Sequence, residues 1–178
     1  MILCYGDSNT FGYDPRDFFG TPYEFPWPAL LEKHLGEPVV NFGENGRTLP
    51  RHPAEFRVLE SKIRALTPDL LLVMLGTNDL LEGLELPDSL HSLLQLLGTG
   101  FPDLKVVLLA PPPMRHMEIP VKNFREAAEE AGVLFCDPGL WDLPLAHDGV
   151  HLTEEGHRIF AAQLADFLGK IPCKSFLA

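Results

Sequence analysis

The sequence predicts an α/β protein: one flavodoxin-like, three-layer domain with a five-stranded parallel sheet, order 2-1-3-4-5, and helices on both faces. Three observations carry this. Short apolar runs alternate five times with segments whose apolar residues recur at helical spacing, the pattern of a parallel sheet joined by right-handed crossovers. The run LLLVML within residues 69–75 is apolar without alternation, as in a strand covered on both faces. The apolar runs end abruptly in Gly, Pro or small polar residues, and open α/β sheets place their sites outside such strand ends. A chain of 178 residues suits a single domain over 1–178, with residues 170–178 as a peripheral tail.

The first run, residues 2–5, breaks at Gly6 and hands over to Asp7 and Ser8. Residues 11–28 are rich in aromatics, Gly and Pro and have no period, so they read as a long loop over the sheet edge with room for a short helical turn. Trp27, Leu30, Leu31 and Leu35 share one helical face, closed by Gly36. Residues 38–42 form the second strand and end in GENGRT at 43–48. Phe56, Leu59, Ile63 and Leu66 mark an amphipathic helix stopped before Pro68. The third strand, 69–75, runs straight into GTND at 76–79. Leu90, Leu93, Leu94 and Leu97 define the next helix, ended by Gly98. Residues 105–110 make the fourth strand, followed by prolines at 111, 112 and 113. Val121, Phe124, Ala128 and Ala131 define a further helix with Gly132 as its stop, and 133–136 is the fifth strand. The last helix starts near Thr153, with Glu154 and Glu155 at its positive end and Phe160, Leu164, Phe167 and Leu168 as its buried stripe. His157 reads as an exposed residue of that helix.

A formal net charge of −11 argues against nucleic acid or an anionic membrane as partner, because both are themselves negative. Cys4 and Cys136 fall within strands and read as buried free thiols, while Cys173 lies near the C-terminus. An odd count of three cysteines and the lack of a signal-peptide pattern favour a reducing, cytoplasmic location. The first strand is expected to begin at Ile2, so within the given sequence no targeting segment is expected, and no apolar run reaches the length of a membrane span.

In a parallel sheet every strand ends on the same side, so Ser8, the 43–48 loop, the 76–79 loop and the 111–114 loop meet at one edge, and the loop carrying Asp148 and His151 reaches it too. Ser8 is there a candidate nucleophile. A carboxylate three residues before an imidazole, across Gly149, can accept the Nδ1 proton and leave Nε2 as a general base. Asn78 can offer a side-chain N–H to a developing oxyanion, with Gly76 keeping the approach open, and the backbone N–H of Gly46 can point to the same place. Each of these pieces alone also reads as an ordinary turn or helix cap. Two other readings stand beside this one. His147 and His151 have the i, i+4 spacing of a zinc helix, with His157 near, but Gly149 argues against a helix there and no Glu follows His147. No metal or other cofactor is expected. A flavodoxin-like binding module is the non-enzymatic alternative; it has no need of His151 or Asn78.

Taken together the four blocks resemble the SGNH hydrolases, or GDSL-type esterases: Gly6-Asp7-Ser8, Gly46 within NFGENGRT, Gly76-Thr77-Asn78-Asp79, and Asp148 to His151. They occur in the family's order and span nearly the whole chain. ILCYGDSNTFGY, LLLVMLGTND and VVLLAPPP look most like the bacterial arylesterases that also act as acyltransferases. The chain departs from the family's name motif at Asn9, where that motif has Leu, a position that varies in the family. The resemblance implies Ser8 as nucleophile, His151 as general acid and base, and Asp148 as its orienting carboxylate. It implies an oxyanion hole from the backbone N–H groups of Ser8 and Gly46 and the side chain of Asn78. The reaction it implies is acyl transfer through an acyl-serine, then release to water. The substrate is then a small-molecule ester; related proteins act on aryl acetates, sugar acetates, thioesters and lysophospholipids. The chain lacks the long insertions of some relatives, which leaves a homo-oligomer open. No cap domain is encoded, so cover for the site falls to residues 11–28 and 111–117, with Phe11, Trp27, Pro112, Met114 and Val150 expected in a narrow acyl pocket and Tyr13, Phe18, Phe19 and Met117 as further bulky groups nearby.

Overall fold

The computed structural model describes residues 1–17 and 19–171. The expectations for Phe18, for Cys173 and for the tail beyond residue 171 lie outside the described residues. Five strands, β1 (Ile2–Gly6), β2 (Val39–Gly43), β3 (Leu70–Met74), β4 (Lys105–Leu109) and β5 (Leu134–Cys136), form one all-parallel sheet in the order β2-β1-β3-β4-β5. The helices are α1 (Ser8–Phe11), α2 (Trp27–Leu35), α3 (Pro53–Leu66), α4 (Thr77–Leu81), α5 (Pro87–Gly100), α6 (Val121–Ala131) and α7 (Glu154–Gly169).

Alternate residues of a strand face opposite sides of the sheet, and here both sides are covered. Leu3, Tyr5, Leu71, Val73, Val106 and Leu108 meet α3, α5 and α6 in one core. Ile2, Cys4, Leu70, Leu72, Met74, Val107 and Leu109 meet α2 and α7 in the other. Every residue of β3 is therefore buried, which is why its sequence shows no alternation. Cys4 and Cys136 are buried free thiols whose pKa is pushed up by burial.

The chain runs from β1 outward to the edge strand β2, then crosses to β3 on the other side of β1. Connections leaving β1 and β3 thus diverge, and their carboxyl ends, Gly6 paired with Met74, flank the crevice where open sheets bind ligands.

Three expectations need correction. The helix expected to end at Gly98 continues to Gly100 and closes when Phe101 N–H donates to Leu97 O. A mid-helix glycine costs only about 1 kcal/mol, and the buried stripe Leu90, Leu93, Leu94 and Leu97 outweighs it. Trp27 does not line an open pocket: it opens α2 and its ring is fully buried against Phe160 of α7, 5.0 Å between centroids. His157 is not exposed. It lies three and four residues before Phe160 and Ala161, on the buried stripe of α7, so the helical spacing already placed it inside. Its Nδ1 accepts the backbone N–H of Trp27 at 3.3 Å, and the Tyr23 ring meets it edge-on at 5.4 Å.

Burial lowers the pKa of His157 to about 4, with the His151 charge adding to the effect. A histidine whose folded-state pKa is depressed contributes stability above its unfolded value of about 6.5, and that contribution is lost as pH falls through about 4. His157→Asn retains an acceptor near the Nδ1 position and removes the titration. Urea denaturation from pH 7 to 4 is expected to show the parent losing stability more steeply than this variant, by up to about 1.4 kcal/mol per pH unit. Parallel curves for the two proteins would show that His157 is not buried in its neutral form.

Candidate active site

At the end of β1 the chain must turn sharply beside Met74. A Cβ on Gly6 would sit 2.0 Å from the Thr10 hydroxyl and 2.8 Å from Met74 O, so only glycine fits. Asp7 then caps α1, its Oδ1 accepting the N–H of Asn9 at 2.9 Å. Ser8 is the first residue of that helix, whereas the sequence left room for a helical turn only within residues 11–28.

Ser8 Oγ lies 2.8 Å from His151 Nε2, and His151 Nδ1 lies 2.7 Å from Asp148 Oδ2. The other oxygen of Asp148 accepts the N–H groups of Val150 at 3.0 Å and His151 at 3.1 Å. Partial burial works to raise the Asp148 pKa, but the bonds from the His151 ring and these two N–H groups prevail and hold it below the usual carboxylate range. The loop is tightly folded: Ala146 N–H donates to His151 O at 2.7 Å, and Gly149 takes a left-handed φ of +72°. Arg115, in the loop after β4, fastens its outer side, with its N–H on Gly149 O at 2.8 Å and its guanidinium on the carbonyls of Ala146 and His147. The Tyr13 ring rests on the imidazole of His151, 4.7 Å between centroids. His147 and His151 are separated by the left-handed Gly149 and share no helix, and both ring nitrogens of His151 are taken by Ser8 and Asp148.

The second and third blocks are bound to each other. Asn78 Nδ2 donates to Arg47 O at 2.9 Å; among the described residues its other N–H has no partner. Asp79, fully buried, accepts the N–H of Leu49 at 3.1 Å and pairs with Arg51 at 2.6 Å. Arg47 reaches back to Gly6 O at 2.8 Å and to Phe42 O, while its guanidinium lies 4.7 Å from the centres of both the Tyr5 and Phe42 rings. Gly46, at φ +75°, sits at the exposed tip of the loop so anchored.

Of the expected pocket residues, Phe11 ends α1, Pro112 and Met114 lie in the loop after β4, and Val150 adjoins His151, all at the carboxyl edge. Trp27 is fully buried, and Phe19 points to solvent. Sequence reasoning placed Tyr13 near the site only as a bulky group, not against the His151 ring, read Asp79 only as part of the third block, and missed Arg47, Arg51 and Arg115. The signal available was weak: three arginines in loops next to the motif blocks of an otherwise acidic chain. Among the described residues no helix is long and apolar enough to cross a membrane.

Residues 4–159 match the model of the GDSL-like lipase/acylhydrolase family. The fold is similar to the M. smegmatis aryl esterase, with 27% identity over 96% of this chain and 98% of that one and a TM-score of 0.76. It is similar to an assigned arylesterase of Agrobacterium tumefaciens str. C58, with 28% identity, the same coverages and a TM-score of 0.81. It is also similar to a carbohydrate acetylesterase family member from Sinorhizobium meliloti, with 27% identity over 94% and 96% of the two chains and a TM-score of 0.75. No curated protein matches the sequence.

Directly beneath Ser8, burial raises the Asp7 pKa to about 6, against the opposing pull of the Thr77 hydroxyl and the Asn9 N–H. A carboxyl whose folded-state pKa is raised contributes stability at low pH, and that contribution is lost as pH rises from the ordinary carboxylate range through about 6. Asp7→Asn keeps the cap acceptor and never ionises. The variant is expected to gain stability over the parent as pH rises from 4 to 8, on the order of 2–3 kcal/mol. A gain that is the same at both pH values would mean that Asp7 does not titrate in this range.

Proposed function

The chain belongs to the GDSL-like lipase/acylhydrolase family and is an ester-hydrolysing enzyme, and from that premise we propose that it is a serine esterase acting on short-chain carboxylic esters through an acyl-serine intermediate. The observation that carries the proposal is the unbroken hydrogen-bonded series from Ser8 Oγ through His151 to Asp148, at 2.8 and 2.7 Å.

In this reading Ser8 Oγ attacks the ester carbonyl carbon as its proton passes to His151 Nε2. Asp148, held ionised by its three hydrogen bonds, fixes the Nδ1–H tautomer and stabilises the imidazolium. The carbonyl oxygen becomes an oxyanion, received by the N–H groups of Ser8 and Gly46 and by the unoccupied N–H of Asn78. The tetrahedral adduct collapses, and the leaving alkoxide takes the proton from His151 and departs as an alcohol. Water then attacks the acyl-serine, giving its proton to His151, and the second adduct releases the carboxylic acid and restores Ser8. A small alcohol in place of that water yields a new ester, which is the acyltransferase activity.

Support for a short acyl group comes from the neighbours: an aryl esterase and a carbohydrate acetylesterase differ in the alcohol they carry, and the second is named for acetyl. Sugar O-acetyl esters are accordingly the second reading. Pro112, in the loop after β4 at the same sheet edge as Ser8, limits how far that loop can open for a long chain.

A p-nitrophenyl ester series from acetate to palmitate, run with and without added alcohol, tests the substrate class. We expect kcat/KM to peak between acetyl and butyryl, transesterification with small alcohols, and no activity in Ser8→Ala. Rates climbing steadily to the long chains would make the protein a lipase or lysophospholipase. Asn78→Ala is expected to lose roughly 10²–10³-fold in kcat with little change in KM, since the contact strengthens in the transition state. A large rise in KM with kcat intact would instead give Asn78 a role in ground-state binding.

A further inference from the structure

Asn9 is the position at which the chain departs from the family's name motif, and there the structure carries a specific arrangement. The side chain is buried, 1% exposed. Its Oδ1 accepts the N–H of Leu152 at 2.9 Å, and its Nδ2 donates to Val150 O at 3.2 Å. One amide group thereby holds the backbone on both sides of His151, satisfying a donor and an acceptor as a neighbouring strand would. Asn9 is itself fixed by its N–H bond to Asp7 Oδ1, and it follows Ser8 directly in α1.

We propose that Asn9 is a positioning residue for the reaction: it sets the approach of the His151 ring to Ser8 Oγ. The inference rests on the proposed roles of Ser8 and His151. The two groups come from opposite ends of the chain, and α1 has only four residues, so the helix alone gives little control over their separation. Arg115 fastens the half of the loop that carries Asp148, through the carbonyls of Ala146, His147 and Gly149. Asn9 fastens the half that carries His151, and it does so from the residue adjoining the nucleophile. A small error in the Oγ to Nε2 distance propagates directly into the proton transfer, whereas substrate contacts on the other loops are untouched. A leucine at this position makes neither bond.

The test compares Asn9→Ala and Asn9→Asp with the parent; the second keeps the shape and the acceptor for Leu152 N–H and loses the donor to Val150 O. Steady-state kinetics with p-nitrophenyl acetate and the rate of labelling by a small fluorophosphonate are measured well below each variant's melting temperature. Expected for both variants is a 10- to 100-fold fall in kcat, a matching fall in the labelling rate, and KM within about threefold of the parent. Asn41→Ala is the control, because Asn41 ties α1 to β2 through Thr10 O at 2.9 Å without touching the His151 loop; its kcat is expected to stay within twofold. Unchanged kcat in the Asn9 variants, a change confined to KM, or an equal loss in Asn41→Ala overturns the proposal. Ser8→Ala and His151→Ala, run alongside, separate its failure from that of the esterase reading: activity surviving in those two sinks the reading itself.

Discussion

The constraint on which everything else depends is the direction of the five strands. A parallel sheet covered on both faces has no polar surface to offer except at its two ends. Both faces of this sheet are sealed, by α3, α5 and α6 on one side and by α2 and α7 on the other. All loops that leave the strands therefore gather at one edge, and reactive groups spread over 144 residues, from Ser8 to His151, come within hydrogen-bond distance there. The crossover from β2 to β3 opens the crevice between β1 and β3, which is where Ser8 and Asn78 lie.

At that edge three carboxylates stand in three different environments, and each environment suits a different task. Asp79 is fully buried but paired with Arg51 and bonded to the backbone of Leu49, so it fastens the second loop to the third. Asp7 is fully buried without a cationic partner among the described residues, and its pKa rises to about 6. It caps the helix that begins with Ser8. Asp148 is only partly buried and takes three hydrogen bonds, so it keeps its charge and faces the imidazole. The family match sets aside the binding-module alternative, and the roles given to these residues explain why polar groups that are costly to bury are kept in the floor of a hydrophobic sheet.

How far the sequence could be read depended on the range of the interaction. The element pattern was legible because it is local: apolar spacing, glycine stops at Gly36 and Gly132, and the proline stop at Pro68 all act within a few residues. The candidate site was legible as four blocks because α/β topology brings strand ends together whatever lies between. The errors came where a local rule met a tertiary contact. Gly98 looked like a stop, and the packed leucine face of α5 carried the helix past it. Trp27 looked like part of a loop over the site, and the ring turned inward to Phe160. His157 looked like a surface histidine, although its spacing from Phe160 pointed inside.

The sequence by itself determined the sheet, its order, the edge at which chemistry would sit and the identity of the blocks placed there. The sheet and its edge follow from periodicity, turn chemistry and chain direction, which need no knowledge of distant partners; the strand order came as a fit to the flavodoxin-like class, and the identity of the blocks from the family resemblance. Only the tertiary structure decided how the blocks are fastened: Asn9 to the backbone around His151, Arg115 to the other half of that loop, Asp79 to Arg51, Arg47 to Gly6. These are polar side-chain contacts between segments from 28 to 143 residues apart. A side chain's hydrogen-bonding capacity is written in its type, but its partner is chosen by the fold, since distance and direction decide whether the bond forms.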